Sequence, residues 1–336
     1  MVGRNVGGRR PRRQRPDRFW WGILFLGVLL FPPNRVFSQE TSPGNLVSIR
    51  ISDLTPRFLD FYQAVLSEGA SGDRRWGLWR ERYGFAAVPS SAAGQARARR
   101  QLDESWNDYE SLLPRIRAGA EGLRPSLEDL LIPVAEILEL DRPMEVEVVL
   151  FVGTRGGSAF SMGLGDRWQM ALPIEEEPRD REITASHEMA HGVHTELAGL
   201  KGVWYRSVGQ MVLGEGLAMH VAAALHQGRE PWEYTGGGEA WFRASEGKRR
   251  TILQGVLDSA DNATPRALDR LTLGPGPAGL RREAYYAGWA LVEHLLDTGW
   301  TLPGLARVPR GLMGRVAERG LRELHNASQG NGGGGP

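Results

Sequence analysis

The stretch His187-Glu188-Met189-Ala190-His191 has the pattern H-E-x-x-H within a segment of helical periodicity. Positions four apart lie one turn apart on the same face of a helix, so these two imidazoles can bind one metal ion. Glu188 lies about 100° round the helix, beside that ion rather than bound to it. A carboxylate in this position can take a proton from a metal-bound water. The stretch therefore predicts a helix that carries two metal ligands and a general base.

A third ligand is needed, because a catalytic zinc ion has three protein ligands and one open position for water. The candidate is Glu215, in Gly214-Glu215-Gly216-Leu217-Ala218, which lies 24 residues after His191. The helical context on both sides and the following E-G-L-A favour a metal site over a solvated helix face that carries two histidines by chance. We expect one Zn²⁺ per chain, bound by His187, His191 and Glu215.

The N-terminus has the order of a signal peptide. Residues 1–38 hold eight arginines, an apolar run of thirteen residues (Phe19 to Phe31), Pro32-Pro33 and a tolerable cleavage site before Gln39. This order of a basic region, a short apolar region and a cleavage site is typical of secretory leaders. The run is short for a membrane span, although an uncleaved signal anchor is an alternative. We expect an exported protein, periplasmic or extracellular.

Composition excludes several classes. The chain has no cysteine, which excludes disulfides, thiol catalysis and cysteine-ligated metals. Without the eight arginines and one aspartate of residues 1–38, the 41 basic and 40 acidic residues fall to 33 and 39, a net charge of −6. The charge therefore gives no indication of nucleic-acid binding, and we expect no membrane contact beyond the leader. The sequence leaves the oligomeric state open.

The periodicity predicts an α+β fold, with a small mixed or antiparallel sheet packed on the H-E-x-x-H helix and mostly helical parts before and after it. Three segments favour strands: Met144 to Val152, Ser158 to Leu164 and Arg167 to Ile174. Pro133 indicates a kink or a break in the helix that precedes them. The predicted organisation is a leader (1–38), an N-terminal helical region (39–142), a catalytic subdomain (143–205), a C-terminal helical subdomain with the third ligand (206–325) and a disordered glycine-rich tail (326–336).

The predicted order of elements is strands, then a metal-binding helix, then a helix that supplies a glutamate. This order resembles the gluzincin class of zinc peptidases, the broad group of thermolysin and aminopeptidase N. Two motifs are most similar to the "predicted Zn-dependent protease" families: the E-G-L-A around Glu215 and the later Tyr285-Tyr286-Ala287-Gly288. The resemblance implies a zincin-like fold and hydrolysis of peptide bonds in a peptide or protein substrate. It implies that His187, His191 and Glu215 are the ligands and that Glu188 is the general base.

The resemblance also implies further roles. Tyr285 and Tyr286 are candidates to donate a hydrogen bond to the oxyanion, as a tyrosine does in several gluzincins. In zincins a strand near the metal-binding helix aligns the extended peptide, and we expect Arg167 to Ile174 to be that strand. One departure concerns Met219, which stands where thermolysin-type enzymes have an aspartate that orients a ligating histidine. Another residue must do this here.

The other histidines are expected to lie outside the metal site. His194 shares a helix face with His187 but lies about 10 Å further along the axis, so we expect it to pack near the site rather than to bind the metal. His220 is expected to be structural, and His294 is a weaker candidate for the oxyanion donor.

Two other functional classes remain open. Two histidines and a carboxylate also form the facial triad of mononuclear iron enzymes. A catalytically inactive metal-binding or interaction protein on the same scaffold is the other alternative.

Overall fold

The computed structural model describes residues 36–38, 46–85, 92–154, 159–164, 167–200 and 207–330. Over these residues the fold is α+β, mostly helical, with one small mixed sheet. The fold class is therefore as expected. The leader is not tested, because residues 1–35 lie outside the described residues.

The sheet contains four strands of five to eight residues and a three-residue edge strand. In chain order they are β1 (Val36–Ser38), β2 (Val47–Asp53), β3 (Met144–Phe151), β4 (Phe160–Leu164) and β5 (Arg167–Pro173). Their spatial order is β1-β2-β3-β5-β4. The three central strands β2, β3 and β5 are parallel, and the two edge strands β1 and β4 run antiparallel to their neighbours.

The strand β2 was not predicted, since the sequence interpretation placed residues 39–142 in a wholly helical region. Its alternation of Val47, Ile49 and Ile51 has the period of a strand, and Val47 and Ile49 are buried. β2 pairs with β3 along seven residues, from Val47 opposite Met144 to Asp53 opposite Leu150. The N-terminal region therefore contributes an internal strand of the sheet.

The helices follow the predicted periodicity with several different boundaries. They are α1 (Thr55–Glu68), α2 (Gly72–Leu78), α3 (Ala92–Ser105), α4 (Tyr109–Ala118), α5 (Leu127–Ile137), α6 (Pro178–Leu197), α7 (Val208–Leu225), α8 (Pro231–Thr235), α9 (Glu239–Gly247), α10 (Arg249–Leu257), α11 (Pro265–Thr272), α12 (Glu283–Asp297), α13 (Leu302–Ala306) and α14 (Arg310–Gly330).

The helix α5 runs through Pro133, so the proline does not break it. A 3₁₀ turn at Trp106–Asp108 separates α3 from α4. The expected disorder of the tail was wrong in part. The last helix continues to Gly330, so residues 326–330 of the predicted disordered tail are helical, while 331–336 lie outside the described residues.

The helix α6 packs on one face of the sheet through a glycine. A Cβ on Gly192 would lie 2.7 Å from both the indole of Trp168 and the side chain of Met144, so only a residue without a side chain allows this approach. Gly192 directly follows His191. The close packing therefore holds the H-E-x-x-H stretch against the rigid sheet.

The helix α7 is the centre of the helical half of the protein. It is apolar all round, as expected for a buried helix. By length and composition α7 is the one helix of the described chain that qualifies as a candidate membrane span, but 67% of the tested window is buried inside the protein. Its apolarity is therefore accounted for by packing in the core.

Candidate metal centre

Three side chains from two helices converge on one point. The Nε2 atoms of His187 and His191, one turn apart on α6, lie 3.0 Å from each other. Glu215 of α7 places Oε2 at 3.3 Å from the Nε2 of His187 and Oε1 at 3.6 Å from the Nε2 of His191. Within the described ranges, these residues form the one group of three acidic or histidine side chains whose ligand atoms all lie within 4.8 Å. The tertiary structure thus brings together the three ligands predicted from the sequence.

The distances between these atoms fit a metal ion. Zinc bonds to nitrogen and oxygen are about 2.0–2.1 Å long, so two ligands of a tetrahedral zinc ion lie about 3.3 Å apart. The separations of 3.0, 3.3 and 3.6 Å, the last two to different carboxylate oxygens of Glu215, lie close to that value. Two imidazole nitrogens and a carboxylate suit zinc, iron and other divalent ions of the first transition row, so the donors alone do not identify the metal.

Burial and charge also favour a bound cation. Glu215 is the one Asp, Glu, Lys or Arg of α7, and its carboxylate lies deep between helices. Burial by itself raises the pKa of Glu215, but the charge of His191 and hydrogen bonds with His187 and His191 together hold that pKa well below its usual range. A buried carboxylate that stays ionised needs a positive partner. The side chains of His191 and Glu215 remain 15% and 13% exposed, so the centre is open on one side.

The position of Glu215 depends on a close helix crossing. The helix α7 begins at a capping box formed by Ser207 and Gln210. A Cβ on Gly216 would lie only 2.1 Å from the carbonyl oxygen of Gly288 in α12, and one on Gly288 would lie 2.6 Å from the carbonyl oxygen of Val212. Because neither glycine has a side chain, the two backbones touch at the residue next to Glu215.

Glu188 lies beside the centre without belonging to it. It is 5% exposed, and its Oε2 accepts a hydrogen bond of 2.5 Å from the hydroxyl of Ser161 on β4. After burial and the charge of Glu215, the charge of Glu188 also raises the pKa of Tyr285. Ser161 was not predicted, since a serine 27 residues before a glutamate carries no recognisable signal in the sequence. The contact fixes the Glu188 carboxylate between the metal helix and the sheet edge.

The two candidate tyrosines of α12 point in different directions. Tyr285 lies one turn before Gly288, whose backbone touches Gly216 beside Glu215, so it is on the side of α12 that meets α7. Burial and then the charge of Glu215 raise the pKa of Tyr285. Tyr286 packs edge-on against Phe242, with ring centroids 5.6 Å apart. Burial raises the pKa of Tyr286, and the opposing charge is that of Arg249, a residue of α10. Tyr285 therefore faces the centre, whereas Tyr286 packs in the core on another side of the helix.

The remaining histidines lie outside the group of three. His194 is 1% exposed and fully packed within α6. His220 stacks on Trp289 at 4.1 Å, and its Nε2 lies 3.0 Å from the carbonyl oxygen of Trp289, in keeping with the structural role expected for it. His294 lies 3.1 Å from Glu323 of α14. That contact directs its ring toward α14.

The strand at the open sheet edge is not the one expected. Arg167 to Ile174 forms β5, which pairs with β3 on one side and β4 on the other, so its backbone groups are already used within the sheet. The edge strand on this side of the sheet is Phe160–Leu164, which in the described part of the chain pairs with β5 alone and carries Ser161. An extended peptide can add to an edge strand but not to an internal one. The expected assignment of Arg167 to Ile174 as the strand that aligns a peptide was therefore wrong.

Comparisons with known proteins add no support to this arrangement of side chains. When the chain was compared with models of protein families, with curated proteins and with solved structures, no match was found in any of the three.

Proposed function

We propose that this protein is a zinc-dependent peptidase of the gluzincin type. The observation that carries the proposal is the convergence of His187, His191 and Glu215 within reach of one metal ion, with Glu188 held beside them. A zinc ion at this centre would supply a bound water of lowered pKa and would polarise a carbonyl group. The chain also has the order of elements that the resemblance implies, with strands first, then the metal helix, then the glutamate helix.

Glu188 is the residue that moves the proton. It takes a proton from the attacking water as the oxygen bonds to the peptide carbonyl carbon, and returns that proton to the nitrogen of the leaving amine as the C–N bond breaks. The hydrogen bond from Ser161 keeps the Oε2 of Glu188 in place, and we assign the proton transfer to Oε1. Tyr285 donates to the oxygen that becomes negative, because it is the tyrosine that faces the centre.

The peptide is expected to bind along β4. Among the described residues no strand pairs with β4 on the side away from β5, and Ser161 places β4 next to Glu188. A substrate that extends the sheet as a further strand would bring one of its carbonyl groups to the metal.

The decisive experiment compares wild type with Glu188→Gln. Glutamine keeps the size and the polarity of the side chain but cannot accept the proton, so zinc content and folding should persist while peptide hydrolysis falls by roughly two to four orders of magnitude. Hydrolysis is measured on a broad peptide library, with and without a chelator. Glu196→Gln on the same helix, about 12 Å further along its axis, is the matched control and should cleave like wild type.

Each outcome of that experiment has a meaning. Cleavage by Glu188→Gln at the wild-type rate would remove Glu188 from the mechanism. A wild type that binds zinc but cleaves no peptide would identify a metal-binding protein without peptidase activity. Iron instead of zinc in the purified protein would point to the facial-triad class.

We further propose that the protein is exported and that residues 1–38 are removed. The basis is the order of the N-terminal sequence. N-terminal sequencing of the mature protein should begin near Gln39, whereas an intact Met1 in a membrane fraction would show a signal anchor.

A further inference from the structure

A buried arginine lies at the start of α12, the helix whose backbone touches α7 beside Glu215. Arg282 is 7% exposed, and its Nη2 donates a hydrogen bond of 3.0 Å to the carbonyl oxygen of Thr235. Its Nε and Nη1 are buried and have no hydrogen-bond partner in the described part of the chain. Burial lowers the pKa of Arg282. A guanidinium placed in this way is costly for folding, so its position calls for a reason other than stability.

The backbone holds Arg282 in an unfavourable conformation. Its φ of 63° and ψ of 30° lie in the left-handed region, which is strained for a residue with a side chain. The adjacent Glu283 is fully buried, and its carboxylate accepts hydrogen bonds from the backbone N–H groups of Ala278 and Leu280. These bonds fix the turn that precedes α12. The strain at Arg282 is therefore imposed by its surroundings, as is common at functional sites.

The guanidinium of Arg282 contacts Tyr285. Its Cζ lies 4.1 Å from the centre of the phenol ring, at the distance of a cation–π contact. Tyr285 lies one turn before Gly288, at the crossing that places Glu215. Besides burial, the charges of Glu215 and Glu188 raise the pKa of Tyr285, whereas the charge of Arg282 lowers it. The charge of Glu215 also acts to raise the pKa of Arg282, against the effect of burial. Tyr285 therefore has the positive charge of Arg282 against its ring and the metal centre nearby.

We infer that Arg282 is a positioning residue that acts through Tyr285. It fixes the phenol ring, and its positive charge makes the phenol O–H a stronger donor to the oxygen that becomes negative at the metal centre. This inference rests on the proposed peptidase function and adds to it a residue that acts on the oxyanion donor rather than on the reacting atoms. A purely structural Arg282 would support the start of α12 without any energetic coupling to Tyr285.

A double-mutant cycle tests the inference on a peptide that wild type cleaves. The proteins are wild type, Arg282→Met, Tyr285→Phe and the double variant, and kcat and KM are measured for each. Tyr285→Phe should lower kcat by about 100-fold, the scale for one lost oxyanion donor, and Arg282→Met by about 10-fold with little change in KM. The double variant should be no slower than Tyr285→Phe. The inference is overturned if Arg282→Met lowers kcat by the same factor in wild type and in Tyr285→Phe. It is also overturned if Arg282→Met changes KM alone.

Two further variants keep the test falsifiable. Arg282→Lys keeps the charge but not the planar group, so it should lose part of the kcat in the wild-type background and nothing in the Tyr285→Phe background. It replaces Arg282→Met if the latter does not fold, and an additive loss again overturns the inference. Arg281→Met is the matched control, because Arg281 is the exposed neighbour whose Nε donates to the carbonyl oxygen of Leu273. It should leave kcat unchanged.

A binding measurement separates failure of the inference from failure of the proposed function. The Co²⁺-loaded protein is titrated with inorganic phosphate and followed by its visible absorption. Arg282→Met should weaken phosphate binding about 10-fold, with no further effect in Tyr285→Phe and no effect of Arg281→Met. The same affinity for wild type and Arg282→Met would overturn the inference. If Arg282→Met weakens phosphate binding only when Tyr285 is present, but the protein cleaves no peptide, the peptidase proposal fails. The pairing of Arg282 with Tyr285 at the centre then still stands.

Discussion

Replacing Glu175 with glutamine should stabilise the protein in a way that depends on pH. The carboxyl group of Glu175 lies where β3 and β5 end: its Oε1 accepts a hydrogen bond of 2.9 Å from the N–H of Gly153, and its Oε2 is buried with no hydrogen-bond partner in the described residues. Burial raises the pKa of this carboxyl from 4.5 to about 8, and the charge of Glu176 adds to the effect. At neutral pH the folded protein therefore holds Glu175 protonated.

The direction and size of the effect follow from linkage. Because the folded pKa lies above the unfolded one, the folded state binds more protons between pH 4.5 and pH 8, and the free energy of unfolding falls as pH rises through this window. The difference between 4.5 and about 8 corresponds to about 5 kcal/mol. Glutamine keeps the acceptor for Gly153 and does not ionise. The variant should match wild type near pH 4.5 to within about 1 kcal/mol and exceed it increasingly up to pH 8.

The assay is urea denaturation followed by circular dichroism at several pH values between 4.5 and 8. Wild type and Glu175→Gln share the same metal centre, so its pH dependence cancels in the difference between them. Glu145→Gln is the control, because Glu145 is an exposed carboxylate of β3, and its difference from wild type should not vary with pH. The reasoning is refuted if Glu175→Gln differs from wild type by the same amount at pH 4.5 and pH 8.

Two other predictions concern the metal centre. Glu215→Ala should lower the zinc content from one ion per chain to nearly none by metal analysis, while His194→Ala should keep it; zinc retained by the first and lost by the second would identify His194 as the third ligand. Gly216→Ala should lower the free energy of unfolding by about 1–3 kcal/mol and weaken zinc binding, because its Cβ would lie 2.1 Å from the carbonyl oxygen of Gly288. Gly247→Ala is the control for urea denaturation, since a Cβ there meets nothing within 4 Å. Unchanged zinc affinity in Gly216→Ala would show that the crossing does not position Glu215.

Local patterns in the sequence determined much of this site. The four-residue spacing of His187 and His191 puts both imidazoles on one face of any helix, so their pairing needs no knowledge of the rest of the chain. The three strands over 144–174 and the helices around them are also visible as periods of two and 3.6 residues. Glu215 could be proposed because a third ligand was needed and Glu215 lies in a helical segment, with E-G-L-A, 24 residues after His191.

Only the tertiary structure decided which side chains meet. Ser161 reaches Glu188 because β4 is the edge strand, and that order depends on long-range pairing that no local period encodes. Tyr285 and Tyr286 are equivalent in sequence, but the packing of α12 against α7 turns one toward the metal and the other into the core. In the sequence nothing distinguishes Arg282 from the other arginines. In the structure the strained start of α12 buries it against Tyr285. The metal ligands could be predicted from spacing along one helix and from one glutamate in the next, whereas their supporting residues depend on contacts between elements far apart in the chain.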